Sequence, residues 1–219
     1  MWDRTKAFNL IGETALIPII RVESSATALK VAEAFLEGGV NIIEVTFSVP
    51  RATDVLRELT DRVGDRVLVG AGTVLDGTTA REAIAAGAEF IVSPIYSRDL
   101  IETTRRHGKL SFPGALTPTE IVEAYSMGAD AVKVFPCGNV GGADYIRAVR
   151  APLPHIPLIP TGGVELNTAG AFLDAGVFAL GVGSAITDKK AIAEGRFDVI
   201  ADNVRKFLEI VKTHRKRKS

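Results

Sequence analysis

The feature that most constrains this chain is an unbroken alternation of short β-branched runs with longer helix-like segments. The runs are Leu16 to Arg21, Asn41 to Phe47, Val67 to Ala71, Phe90 to Ser93, Leu110 to Phe112, Ala131 to Phe135, Ile156 to Ile159 and Phe178 to Val182, eight in all. Between them lie Ala26 to Glu37, Ala52 to Arg62, Thr79 to Ala86, Arg98 to Arg106, Pro118 to Ser126, Ala143 to Arg150 and Thr168 to Ala175. Several of these segments end in glycine just before the next run, at Gly38-Gly39, Gly87, Gly108, Gly128 and Gly176. Glycine there supplies the left-handed cap that turns a helix into the following strand.

Eight such units in 219 residues predict a (β/α)8 TIM barrel, an α/β fold, as a single domain over residues 1–219. The first fourteen or so residues are expected to form a helix closing its bottom. A doubly wound open sheet is the alternative. Against it stands the absence of a Gly-x-Gly-x-x-Gly after the first run and of a Gly-Lys-Ser/Thr phosphate loop anywhere. The segment Gly181-Val182-Gly183-Ser184-Ala185-Ile186 carries only two of the three glycines and lies near the end of the chain rather than the start.

Lysine plus arginine and aspartate plus glutamate number 26 each, so no global field draws the protein to nucleic acid or an anionic membrane, and an anionic ligand needs a local site. A single cysteine, Cys137, excludes an internal disulfide framework and fits a reducing compartment, with the cytoplasm as the expectation. No signal-peptide core and no membrane-length apolar stretch is present. The basic stretch 212–219 reads as a frayed, solvated tail.

In a barrel of this kind chemistry lies at the carboxyl ends of the strands. The residues there are Arg21, Glu44 and Thr46, Thr73, Ser93-Pro94, Pro113-Gly114, Lys133 and Phe135, Thr161-Gly162-Gly163, and Gly183-Ser184. Lys133 and Glu44 stand out, because each is a charge inside an otherwise apolar run. Period two puts Glu44 on the face of Ile42 and Thr46, and Lys133 on the face of Ala131 and Phe135, so both point into the barrel. An ion pair that merely satisfies itself is one reading. The other is a buried, partly deprotonated amine able to form an imine, beside an acid/base that moves the protons.

Gly162-Gly163 and Gly183-Ser184 fall where such barrels hold phosphate, on backbone N–H groups and a helix N-terminus. His107, His155 and His214 are scattered and no metal-ligand spacing occurs, which argues against a metal site. Cys137 has no base paired to it and reads as a bystander thiol.

The segments Ile43-Glu44-Val45-Thr46, Gly70-Ala71-Gly72-Thr73-Val74, Val92-Ser93-Pro94, Phe112-Pro113-Gly114, Leu116 to Glu120, Val132-Lys133-Val134-Phe135-Pro136 and Pro160-Thr161-Gly162-Gly163-Val164, in this order, closely resemble the class I 2-keto-3-deoxy-6-phosphogluconate (KDPG) aldolases. The resemblance runs from about residue 15 to about residue 210. It implies Lys133 as the Schiff-base lysine, Glu44 as general acid/base, Thr73 and Pro94 as pocket walls, Phe135 beside the imine, and Thr161 on the sugar hydroxyls. It also implies a homotrimer, and a phosphorylated 2-keto-3-deoxy sugar acid cleaved to pyruvate and glyceraldehyde 3-phosphate. No cofactor or metal is implied, since the imine does the work of a Lewis acid.

Many members of that family carry an arginine four residues after the glutamate, on the substrate carboxylate, and here Ser48 stands there. Others have a small hydroxyl residue at that place and an arginine ending strand one, which points to Arg21, with Arg51 next. Members specialised for the galactonate epimer tend to have valine where Thr161 stands. The rival functions are 4-hydroxy-2-oxoglutarate or galactonate cleavage, a phosphate-binding barrel isomerase, and a non-catalytic assembly scaffold.

Overall fold

A computed structural model describes residues 2–217. Its strands are β1 (Leu16–Ile20), β2 (Ile42–Thr46), β3 (Leu68–Gly72), β4 (Phe90–Val92), β5 (Leu110–Phe112), β6 (Gly114–Ala115), β7 (Val132–Val134), β8 (Leu158–Pro160) and β9 (Leu180–Val182). The helices are α1 (Arg4–Thr14), α2 (Ser25–Glu37), α3 (Ala52–Val63), α4 (Gly77–Ala85), α5 (Arg98–Arg106), α6 (Pro118–Ser126), α7 (Gly142–Arg150), α8 (Leu166–Asp174), α9 (Lys189–Ala193) and α10 (Phe197–Lys216).

The strands are parallel, in the orders β5-β4-β3-β2-β1-β9 and β6-β7-β8. A bridge between Thr161 and Gly181 joins β8 to β9. On the other side β5 and β6 are one stave interrupted at Pro113, which has no N–H to give the ladder. Its carbonyl still accepts from Lys133 N at 2.9 Å, and Ser111 O accepts from Asp130 N at 3.0 Å. The ring is therefore closed, and the eight runs expected from the sequence form eight staves of a (β/α)8 barrel. Every strand is buried along its whole length, as parallel strands sandwiched between a barrel interior and a helix layer must be.

The glycines before the strands behave as expected at Gly39, Gly87, Gly108, Gly128 and Gly176, whose φ values are 94°, 103°, 68°, 95° and 79°. Gly38 is right-handed, so only the second glycine of that pair makes the turn. These turns define the bottom of the barrel, and α1 lies across them. Trp2 Nε1 donates to Gly64 O at 3.1 Å, Arg4 pairs with Asp130 at 2.5 Å, and Phe8 stacks on Phe178 with centroids 4.4 Å apart. Each partner sits just ahead of a strand, which is why a helix this short can plug the whole end.

The expectation of a frayed tail from residue 212 is corrected. α10 continues to Lys216 because Ile200, Val204, Phe207, Val211 and His214 form one buried stripe at helical spacing, with the basic residues on the other faces. His214 Nδ1 lies 3.0 Å from Asp174 Oδ1, and Arg215 donates to Gly12 O at 2.7 Å. Residues 218 and 219 of that stretch lie outside the described residues. No helix among the described residues is long and apolar enough to cross a membrane.

Inside the barrel, glycines on one stave make room for side chains from the next. A β-carbon on Gly70 would run into the Phe90 ring, one on Gly72 into Glu44, and one on Gly181 into the Thr161 hydroxyl. Phe90 and Phe112, with ring centroids 5.8 Å apart, fill the middle of the barrel. The polar side chains from β2 and β7 are left at its mouth.

Candidate functional site

Glu44 and Lys133 come from staves far apart in sequence and are 2% and 3% exposed. Register sets their level: Glu44 pairs with Ile19 and Gly70, and Lys133 with Gly114 and Ile159. Burial pulls the Lys133 amine below the ordinary lysine range, against the Glu44 charge, which favours the ammonium, while Arg21 adds to the pull. Burial pushes the Glu44 carboxyl up, opposed by the positive charges of Lys133 and Arg21. Each thus holds the other nearer to ionisation than burial alone allows. Lys133 Nζ stands 5.2 Å from the centroid of Phe135, and Glu44 Oε1 is buried without a hydrogen-bond partner among the described residues. A free amine can add to a carbonyl carbon, and a carboxyl of raised pKa can pass protons in either direction.

The other strand-end residues lie at the same end of the barrel as the pair. Arg21 lies just beyond β1 rather than in it, is exposed, and donates to Thr73 Oγ1 at 3.4 Å. Thr73 has φ 58°, a left-handed conformation uncommon for a β-branched residue. Thr46 Oγ1 donates to Ile20 O at 2.8 Å and so takes its other hydrogen bond, at 2.8 Å, from Ser48 Oγ. This ties Ser48 to the end of β1, the stretch that carries Arg21. Arg51 turns outward, 78% exposed, to Asp54 at 2.8 Å.

Pro94 packs on the β5–β6 stave, where Gly114 N donates to Ile95 O at 3.1 Å. Phe135 precedes a cis Phe135–Pro136 bond and a 3-10 turn over Cys137–Val140. That turn is zipped to the loop after β8, since Cys137 N donates to Thr161 O at 2.9 Å and Gly138 N to Gly162 O at 2.8 Å. The approach is tight enough that a β-carbon on Gly163 would stand 2.6 Å from Gly138 Cα. Gly162 and Gly163, at φ 82° and 77°, need glycine for this loop.

Beyond β9, Gly183 faces open space and Ser184 is exposed. The helix N-terminus nearest the two glycine loops is that of α8, which begins at Leu166 just after Gly162-Gly163. Gly183 to Thr187 form turns, with Ile186 N and Thr187 N both donating to Gly183 O at 2.9 Å, and α9 starts only at Lys189. Its first turn is capped by the Asp188 carboxylate, which accepts from Ala191 N at 2.6 Å. An anion at this loop would therefore meet backbone turns and the Ser184 hydroxyl.

His107, His155 and His214 face Thr103 O, Tyr125 and Asp174, away from the pair. Burial pushes the Cys137 thiol up to about 12, so it is an inert thiol at neutral pH. Sequence reasoning missed Gly72 and Gly181, which seat Glu44 and Thr161. A Gly-x-Gly pair inside a strand, where glycine is disfavoured, was the available signal.

The profile of the family described as KDPG and KHG aldolase matches residues 8–203. A 2-dehydro-3-deoxy-phosphogluconate aldolase of Treponema pallidum is 33% identical over 205 residues, covering 93% of this chain and 97% of that protein. The crystal structure of KDPG aldolase from Legionella pneumophila, with pyruvate captured at low pH as a covalent carbinolamine intermediate, superposes with TM-score 0.84 and 30% identity over 91% of this chain and 96% of that one. A native KDPGal structure gives 0.84 and 28% over 92% and 96%. The strand-end residues that carry the resemblance thus sit together around one barrel mouth, on a backbone shared with those proteins, and the chain belongs to the KDPG and KHG aldolase family.

Proposed function

We propose that the chain is a class I aldolase that cleaves 2-keto-3-deoxy-6-phosphogluconate to pyruvate and glyceraldehyde 3-phosphate. The observation that carries this reading is the buried Lys133–Glu44 pair at the barrel mouth, with the amine drawn down and the carboxyl pushed up. The Lys133 amine adds to the C2 ketone, and loss of water from the carbinolamine leaves a protonated imine. Glu44, through a bound water, takes the proton of the C4 hydroxyl, and the C3–C4 bond breaks with its electrons moving into the imine. The aldehyde leaves, Glu44 returns a proton to C3 of the enamine, and water releases pyruvate from the lysine. Supplying the phosphorylated sugar acid and following pyruvate with lactate dehydrogenase tests the activity. No pyruvate from a folded protein at saturating substrate rejects it.

In this reading Thr73 and Pro94 wall the pocket, Phe135 packs beside the imine, and Gly162, Gly163, Gly183 and Ser184 receive the phosphate. Arg21 holds the substrate carboxylate, supported by its place over Thr73 and by the hydrogen-bonded end of β1. Arg21→Ala is expected to weaken pyruvate binding by about 1.5–3 kcal/mol, the scale of a charge-assisted hydrogen bond. Equilibrium titration of pyruvate against both proteins measures it, and an unchanged affinity moves the carboxylate elsewhere.

The choice among sugar acids rests on Thr161, whose hydroxyl lies over the bare Gly181 at the end of the barrel interior. A hydroxyl that pairs with one epimer penalises the other by about 1–3 kcal/mol. The parent is expected to prefer the gluconate substrate, and Thr161→Val to lower that preference roughly tenfold or more through loss of gluconate cleavage. Values of kcat/KM for both epimers decide this. The homotrimer and the cytoplasmic setting implied by the resemblance and the lone thiol go with this reading, and a sedimenting mass of three chains is the expected result for the former.

A further inference from the structure

We propose that Gly72 is a positioning residue for Glu44: the missing side chain at the end of β3 is the seat in which the Glu44 carboxylate lies. The inference rests on the proton-transfer role given to Glu44 above. A β-carbon at Gly72 would stand 2.6 Å from Glu44 Cδ and 2.8 Å from its Cγ, and would overlap Oε1. Gly72 is not among the residues with left-handed backbone, so the fold does not need glycine there for its dihedrals. Glycine also weakens a strand, and close approach by another group is one of the reasons it is found there.

The seat cannot retreat. β3 is held in register with β2 by Thr46 against Gly72, and Phe47 N donates to Gly72 O at 2.7 Å. Nor does a hydrogen bond fix the other side, because Glu44 Oε1 is buried with no partner among the described residues. Shape therefore sets where this oxygen stands, and its lone pairs stay free for a proton or a water. Gly70, two residues earlier on the same face, makes room for Phe90 in the same way, but for packing rather than for chemistry.

The test compares the parent with Gly72→Ala, Glu44→Asp and the double variant. Deuterium exchange into the pyruvate methyl group is followed by NMR, alongside equilibrium borohydride trapping of pyruvate on Lys133. Gly72→Ala is expected to slow exchange by about 10²-fold or more, the scale of misplacing an acid/base, while trapping at equilibrium stays within about threefold. Shortening residue 44 relieves the overlap, so the double variant should lose less than the product of the two single losses.

A folded Gly72→Ala variant that exchanges within about threefold of the parent overturns the proposal, as does a double variant with fully multiplicative losses. Should Gly72→Ala fail to fold, Gly72→Ala with Glu44→Ala decides. A recovered cooperative melt supports the seat, and continued misfolding overturns it. Glu44→Gln run alongside separates this from the reading beneath it. Normal exchange in that variant removes the proton-transfer role itself, whereas slow exchange there with fast exchange in Gly72→Ala overturns only the seat.

Discussion

Pyruvate and borohydride together are expected to add one three-carbon unit per chain, on Lys133, and Lys133→Met is expected to take none. Reduction freezes the imine as a secondary amine, so intact mass gives the stoichiometry and peptide mapping gives the site. Methionine is the appropriate replacement because it is unbranched, apolar and of similar length, and so fills the space between Gly114 and Ile159 without an amine. Cleavage should fall by roughly 10⁴-fold or more, since removal of a covalent nucleophile abolishes the split of one difficult step into two easier ones. The other lysines serve as internal controls. Lys109, also buried, is locked to Glu89 at 2.5 Å near the bottom of the barrel, away from the mouth. An adduct on any residue other than Lys133 would refute the imine mechanism.

Glu44→Gln is expected to slow cleavage by about 10²–10⁴-fold, the usual cost of losing a positioned general acid/base. Its pH dependence carries more information than its rate. In the parent, Glu44 must be ionised to accept the C4 hydroxyl proton, and burial has raised its pKa above the usual 4.5. Cleavage should therefore fall as the pH drops through that raised value, giving an acid limb displaced upward from an ordinary carboxylate. The glutamine variant should lose this limb. It should also trap pyruvate to lower pH than the parent, because the Glu44 charge holds the Lys133 pKa up and its removal leaves desolvation less opposed. A variant with parental rate and an unchanged acid limb would leave Glu44 as a structural partner of the lysine.

How far the chain could be read without coordinates varies with the range of the interaction concerned. The staves were legible because period, β-branching and glycine caps are local, and α5 and α6 fall on the residues expected, Arg98–Arg106 and Pro118–Ser126. Lys133 and Glu44 were legible because an unpaired charge in an apolar run is also a local anomaly. What failed was set by neighbours distant in sequence. The division of the fifth stave at Pro113 shows only when β7 is laid beside it, and the basic end of the chain reads as a tail until His214 is seen packed toward Asp174. Arg51 and Arg21 were both candidates from the sequence, and only side-chain direction distinguishes them.

The plug formed by α1 has a practical side. α10 spans about 30 Å for its twenty residues and delivers Arg215 to the Gly12 carbonyl in the last turn of α1, so α1 and the described end of the chain share the face opposite the barrel mouth. Anything attached at either end, whether a surface anchor, a reporter or a second enzyme, would hang beneath the barrel. Diffusion of sugar acid to the mouth would go on as before. The molecule therefore suits tethering to a solid support or to a consecutive catalyst, with the tether and the traffic of reactants on opposite poles.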